Sequence, residues 1–222
     1  MSATNSRTRP AASEGNVSKL HGEYRLSQST GLLTLANAAT ATAGHVFVMR
    51  YVPAATTKRA LIRYVAIDWN MTTAFGTAQL MGFDLINMTA STVVYTGGTA
   101  IDCGSTDTTV CQVRQDQTGS AFTANSVRIA TTGDLTAGTQ TLAANALASA
   151  YKWQSATLGT GPGATASLQA DLWDARDDGF GSCRSPLELA TGEGFVIRNR
   201  ILMGASGVGI LGVTVWWDEV TP

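Results

Sequence analysis

The stretch ALIRYVAIDW (60–69) alternates apolar and polar side chains with the two-residue period of a strand. Leu61, Arg63, Val65, Ile67 and Trp69 fall on one side, and Ile62, Tyr64, Ala66 and Asp68 on the other. A mostly apolar face opposite a mixed one belongs to a sheet that packs on a single core. Similar strand-like runs recur: VFVMRYV (46–52), ended by Pro53, then TAQLMGFDLINM (77–88), TVVYT (92–96), SVRIATT (126–132), SLQADLW (167–173), PLELA (186–190), GFVIRN (194–199) and GILGVTVWWDEV (209–220). Turn-forming segments separate them: TGGT (96–99), TTGDLTAG (131–138) and GTGPGA (159–164). LAANALASAYKW (142–153) alone has helix-favouring composition, so one short helix or turn is expected there. Short strands joined by turns, with almost no helix, predict an all-β fold: an antiparallel β-sandwich, jelly-roll-like.

A chain of 222 residues is long enough to bury a real core. No repeat or linker interrupts it after residue 30, so residues 29–222 are expected to form a single sandwich domain. Residues 1–28 are different. They carry Arg7, Arg9, Lys19 and Arg25 against Glu14 and Glu23, with few large apolar groups, and cannot fold alone. They read as an extended N-terminal arm, either a loose tail or a segment that orders along a neighbouring subunit.

Charged residues make up 14% of the chain, against roughly 25% in an average globular protein. Soluble monomers use surface charge to avoid sticking, so a surface partly covered by neighbours fits this composition. The net charge of -1 lacks the basic excess that phosphate binding needs, so no nucleic-acid partner is expected. No stretch reaches the length of a membrane span, and the first residues lack the apolar run of a secretory signal. The chain is therefore expected to be made in a cytoplasm, without a membrane partner. Cys103, Cys111 and Cys183 form no C-x-x-C pair, and both histidines are distant in sequence. Cys103 and Cys111 flank GSTDTTV and could close a small loop. Three thiols do not make a disulfide framework, so they are read as mostly reduced.

Three motifs invite a chemical reading. Gly207, Gly209 and Gly212 match G-x-G-x-x-G, but a dinucleotide turn must open a helix. Here VTVWWDEV follows and alternates like a strand, so the glycines are expected to allow close backbone approach. Asp174, Asp177 and Asp178 are near enough to share a calcium ion, yet the EF-hand spacing is missing and Arg176 sits among them. They are read as turn residues, with no metal or other cofactor expected. His21 and His45 adjoin no nucleophile motif, and neither G-x-S-x-G nor H-E-x-x-H occurs. Paired carboxylates of a sugar-cleaving enzyme remain a minor alternative, since sequence alone does not place acids face to face.

Three segments carry a resemblance: GFDLINMTASTVVYTGGTAI (82–101), RIATTGDLTAGTQTL (128–142) and PLELATGEGFVIRNRILMGASGVGILGVTVWWDEV (186–220). Across residues 45–220 the chain resembles β-rich structural proteins of tailed bacteriophage virions. The resemblance implies a particle component without enzymatic activity, built as a symmetric oligomer, on capsid, neck or tail. It would contact copies of itself and other virion proteins. The interface residues expected are Arg7 and Arg9 in the arm and Trp216 and Trp217 at the last strand. The competing expectation is a carbohydrate-binding module that offers Tyr151, Trp153 and Trp173 as a glycan platform.

Overall fold

The computed structural model describes residues 20–34, 43–92, 94–104, 111, 119–124, 126–154, 167–176, 185–201 and 207–221. Every regular element among them is a strand. In chain order these are β1 (Leu20–Ser29), β2 (His45–Arg50), β3 (Arg59–Thr73), β4 (Gln79–Ser91), β5 (Thr99–Ala100), β6 (Val127–Ile129), β7 (Gln140–Leu142), β8 (Ala148–Gln154), β9 (Ser167–Asp174), β10 (Leu187–Leu189), β11 (Gly194–Asn199) and β12 (Val208–Val220). The first sheet runs β1-β12-β3, with β9 and β10 both pairing along the far side of β3. The second runs β5-β6-β2-β11-β4, with β7 and β8 both pairing with β4. All pairs are antiparallel, and the two sheets pack around one shared cluster of buried side chains. The fold is therefore the all-β sandwich that the alternation predicts. Trp69 of β3 meets Phe83 of β4 across the layers, with ring centroids 5.5 Å apart.

β12 shows why the alternation is informative. Leu211, Val213, Val215 and Trp217 are buried, while Ile210, Thr214 and Trp216 alternate with them and are less buried. Tyr24 of β1 stacks on Trp217 at 5.4 Å, and Phe122 meets the same indole edge-on. Such aromatic contacts add to simple burial.

Several expectations change in the structure. β3 carries a bulge: Trp216 pairs with Tyr64 but Trp217 pairs with Ile62, so Arg63 is the extra residue. An extra residue reverses which side chains face inward. Ala60 and Ile62 thus share the core with Val65, Ile67, Trp69 and Met71, while Leu61 and Arg63 turn outward. Arg63 then reaches Asp218 at 2.6 Å.

The expected arm also begins its order earlier. β1 pairs along β12 from Leu20↔Val220 to Ser29↔Gly212, with Tyr24 and Leu26 buried. Residues 20–28, whose composition reads as part of the arm, thus pair in the first sheet. Arg7 and Arg9 lie outside the described residues.

The helix or turn expected over 142–153 is instead the end of β7, a short connection and most of β8. Pairing with β4, from Leu85↔Ala148 to Gln79↔Gln154, overrides the Ala-rich local preference. Among the described residues, no helix is long and apolar enough to cross a membrane.

Sheet position explains a further pattern. β2 and β11 are buried at nearly every residue rather than at alternate ones. Successive strand side chains point to opposite faces, so both faces of the second sheet's centre are covered. The 92–143 region supplies part of the cover through Tyr95, Ile101 and Leu135, and the Tyr95 hydroxyl lies 2.9 Å from His45 Nδ1. The first sheet keeps its alternation, and no other described segment covers its outer face.

Cys103 and Cys111 form a disulfide, with Cα atoms 5.3 Å apart, which corrects the reading of both as reduced thiols. Both are buried, and the Cys111 carbonyl accepts from the Arg25 N–H of β1 at 2.8 Å. Cys103 exchanges backbone bonds with Ser120 and Phe122, which fastens it to the 119–124 segment. Cys183 lies outside the described residues.

At the same end of the sandwich, Glu219 is 2% exposed. Its carboxylate accepts from the Ser120 hydroxyl at 2.5 Å and the Ala121 N–H at 2.8 Å. Burial pushes its pKa above 4.5, and these hydrogen bonds only partly offset that. Between the ordinary and the raised pKa, the folded state binds the proton more tightly than the unfolded state. Glu219 therefore contributes most stability in acid, and the contribution falls as pH rises through that window, by at most about 1.4 kcal/mol per pH unit. We expect Glu219→Gln to remove this part of the slope, which Tm measured against pH for both proteins would show.

Candidate functional site

Among the described residues, polar or aromatic side chains converge on two surfaces that other described segments do not cover. The first is the outer face of β1, β12, β3 and β9. Strand register sets its rows. Arg25, Trp216, Tyr64 and Asp174 lie side by side across the four strands. The next row is Ser27, Thr214, Ala66 and Asp171, and the next contains Gly212, Asp68 and Gln169. Large side chains in the first row and small ones in the next two leave a half-open groove of about 360 Å³.

The groove's wall is held firmly. Trp216 and Tyr64 have ring centroids 5.3 Å apart. The Arg176 guanidinium lies 3.8 Å from the Tyr64 ring centroid and 5.2 Å from that of Trp216, and Arg25 lies 4.9 Å from the latter. Asp174 grips Arg176 through two bonds of 2.9 and 2.6 Å, which raises the guanidinium pKa further. The Tyr64 hydroxyl donates to Asp171 Oδ1 at 2.5 Å. Burial and that bond push the Tyr64 pKa up to about 12, so it stays a donor at neutral pH. Asp68 lines the groove, and its Oδ1 is a buried acceptor with no hydrogen-bond donor among the described residues.

The second surface lies on β4 and β8. Tyr151 and Trp153, two residues apart, share one face of β8 and are 41% and 66% exposed. Leu80, also exposed, is the cross-strand partner of Trp153. Gly82 pairs with Tyr151, and a Cβ there would come within 2.3 Å of the tyrosine ring. The missing side chain lets the ring lie flat against β4. Below it, Asp84 is almost wholly buried and accepts from Ser149 at 2.6 Å, with Arg200 and Arg198 at 3.4 and 3.8 Å. Arg200 also sits 5.6 Å from the Tyr151 ring centroid.

The residues expected from sequence separate accordingly. Tyr151 and Trp153 do come together. Trp173 does not join them: it lies on β9 in the other sheet and is partly buried against the core. Trp216 is on the open face, but guanidinium groups cover it. Trp217, expected at an interface, is 1% exposed inside this chain's own core and offers nothing to a neighbour. β12's own alternation turns this indole inward, and the bulge at Arg63 brings Ile62 opposite it.

Gly209 and Gly207 are needed for packing: an added Cβ would lie 2.5 Å from Trp69 Cζ2 or 2.1 Å from the Phe75 ring. β12 then continues to Val220, without the helix that a nucleotide turn requires. Asp174 is taken up by Arg176, and no set of three metal-ligating side chains clusters among the described residues; Asp177 and Asp178 lie outside them.

Sequence reading did not single out Tyr64, Asp68, Gln169 or Asp171 as site residues. It did put Tyr64, Ala66 and Asp68 on one face of their strand. The missing signal was the pairing of β3 with β9, which joins residues about a hundred positions apart in the chain.

No protein-family model, curated protein or solved structure matches this chain.

Proposed function

We propose that the protein is a non-enzymatic structural subunit of a bacteriophage virion, a decoration, neck or tail component, that assembles as a symmetric homo-oligomer. The Leu80–Tyr151–Trp153 strip carries this reading. It sets a tryptophan that is 66% exposed beside an exposed leucine and tyrosine, on a paired and well-supported strand. Contiguous apolar surface of this kind marks an interaction site, and aromatics are enriched in interface cores. The occupant proposed is a second copy of the chain, because a contact repeated by symmetry turns modest burial into a closed assembly.

Strand order supports the same reading. Strands β1 to β4 alternate between the layers, as do β10 to β12, so β1-β12-β3-β9 faces β2-β11-β4-β8. This order supports reading the sandwich as jelly-roll-like, an architecture used by viral capsid domains. Low charge and the resemblance of residues 45–220 to phage structural proteins agree with it.

Size-exclusion chromatography with light scattering tests the proposal. A closed oligomer of defined mass is expected, and a strict monomer at high concentration would contradict self-assembly. The alternative, a carbohydrate-binding module, draws its best support from the groove on the first sheet rather than from the β8 aromatics.

A further inference from the structure

We propose that the groove on the outer face of β1, β12, β3 and β9 binds a neutral or amino sugar. The inference deepens the carbohydrate-binding alternative and does not require the oligomer. Its ligand class follows from the lining. Ser27 and Thr214 supply hydroxyls, their oxygens 3.2 Å apart. Gln169 supplies an amide, and Asp68 and Asp171 supply carboxylates. Ala66, Ala170 and Gly212 keep the floor low.

The chemistry excludes most other small molecules. Among the described residues, the lining holds two carboxylates and no lysine or arginine. Arg176 and Arg25, in the row beside the lining, are engaged by Asp174 and the aromatic wall and by Trp216 respectively. Phosphate, sulfate and carboxylate ligands would therefore meet like charge. An apolar ligand would strip water from both acids and return no hydrogen bond, which is costly. A sugar hydroxyl donates to a carboxylate and accepts from an amide, so a polyol matches every group present. An amino sugar adds an ammonium opposite the acids.

Size is consistent. About 360 Å³ lies at the small end of ligand sites, near one or two sugar rings. The wall is preorganised as well: Tyr64 is bonded to Asp171 and covered by Arg176, so little ordering is left for the ligand to impose. Tyr64 and Trp216 act here as a fixed edge rather than as a stacking platform, because guanidinium groups already occupy their faces.

The test is ligand-observed NMR on the full chain with glucose, galactose, mannose, N-acetylglucosamine and glucosamine. Glucose 6-phosphate and glucuronic acid serve as anionic controls. The proposal expects binding of at least one neutral or amino sugar, with the anionic controls weaker. It expects Asp171→Asn and Gln169→Ala each to weaken binding by about tenfold or more, and Trp153→Ala to leave it unchanged. Silence across the panel at concentrations of about 10 mM, a range that captures even weak millimolar affinities, would overturn it. So would preference for an anionic control, or binding lost in Trp153→Ala but kept in Asp171→Asn. Light scattering on the same samples reports the oligomer separately, so failure of either idea is distinguishable from failure of the other.

Discussion

Trp217→Ala is expected to destabilise the sandwich by about 3–5 kcal/mol, close to the whole stability of a marginal domain. The indole is 1% exposed, stacks on Tyr24 of β1 and meets Phe122, whose carbonyl accepts from the Cys103 N–H. Its removal opens a cavity where an edge strand, a central strand and a loop meet, and rigid sheets collapse poorly into such space. The adjacent Trp216→Ala is expected to cost much less, about 1 kcal/mol. It gives up ring and guanidinium contacts on an open face but leaves no internal void. Urea denaturation of both variants measures the contrast. Equal losses would mean that the two side chains share one environment, contrary to the register of β12 with β3.

The second large effect is on assembly. Trp153→Glu is expected to weaken self-association by roughly 2–4 kcal/mol, the range of a central interface residue. It places a charge among apolar groups that the contact would bury. The isolated fold should hardly change, within about 0.5 kcal/mol, because the side chain is 66% exposed and supports no core neighbour. Light scattering should therefore show smaller particles while Tm, measured at low concentration, stays put. A loss of Tm without a change in mass would make Trp153 a structural residue instead.

The legible parts of the fold were those where burial follows a strict period. β12 is the best case, since its inward residues Leu211, Val213, Val215 and Trp217 could be read directly from spacing. In β3 the same reasoning placed Val65, Ile67 and Trp69 correctly but failed before them. A single-residue bulge at Arg63 shifts the phase, and no local residue type announces it. β1 was hidden by its composition. Tyr24 and Leu26 alternate inward, yet the strand's outward residues Glu23, Arg25 and Ser27 look like those of a solvated tail. β8 was obscured the opposite way, by alanines and leucines whose helical preference is weaker than a long partner strand.

Sites were less legible than strands, for a topological reason. Tyr151 and Trp153 could be paired because both sit on one short strand. Trp173 could not be separated from them without knowing that β9 joins the other sheet. The groove combines side chains from four strands drawn from both ends and the middle of the chain. Each contributes an ordinary Ser, Thr, Ala, Gly or Asp, so no segment of sequence carries the pattern alone.

Hydroxyl-radical footprinting of the tryptophans over a dilution series tests the central claim most directly, since it reads the inside of the sandwich and its proposed contact together. The account predicts Trp69 and Trp217 protected at every concentration, and Trp153 oxidised in dilute protein but protected as the oligomer forms. Oxidation of Trp217 in the native protein, or oxidation of Trp153 to the same extent throughout, would contradict it.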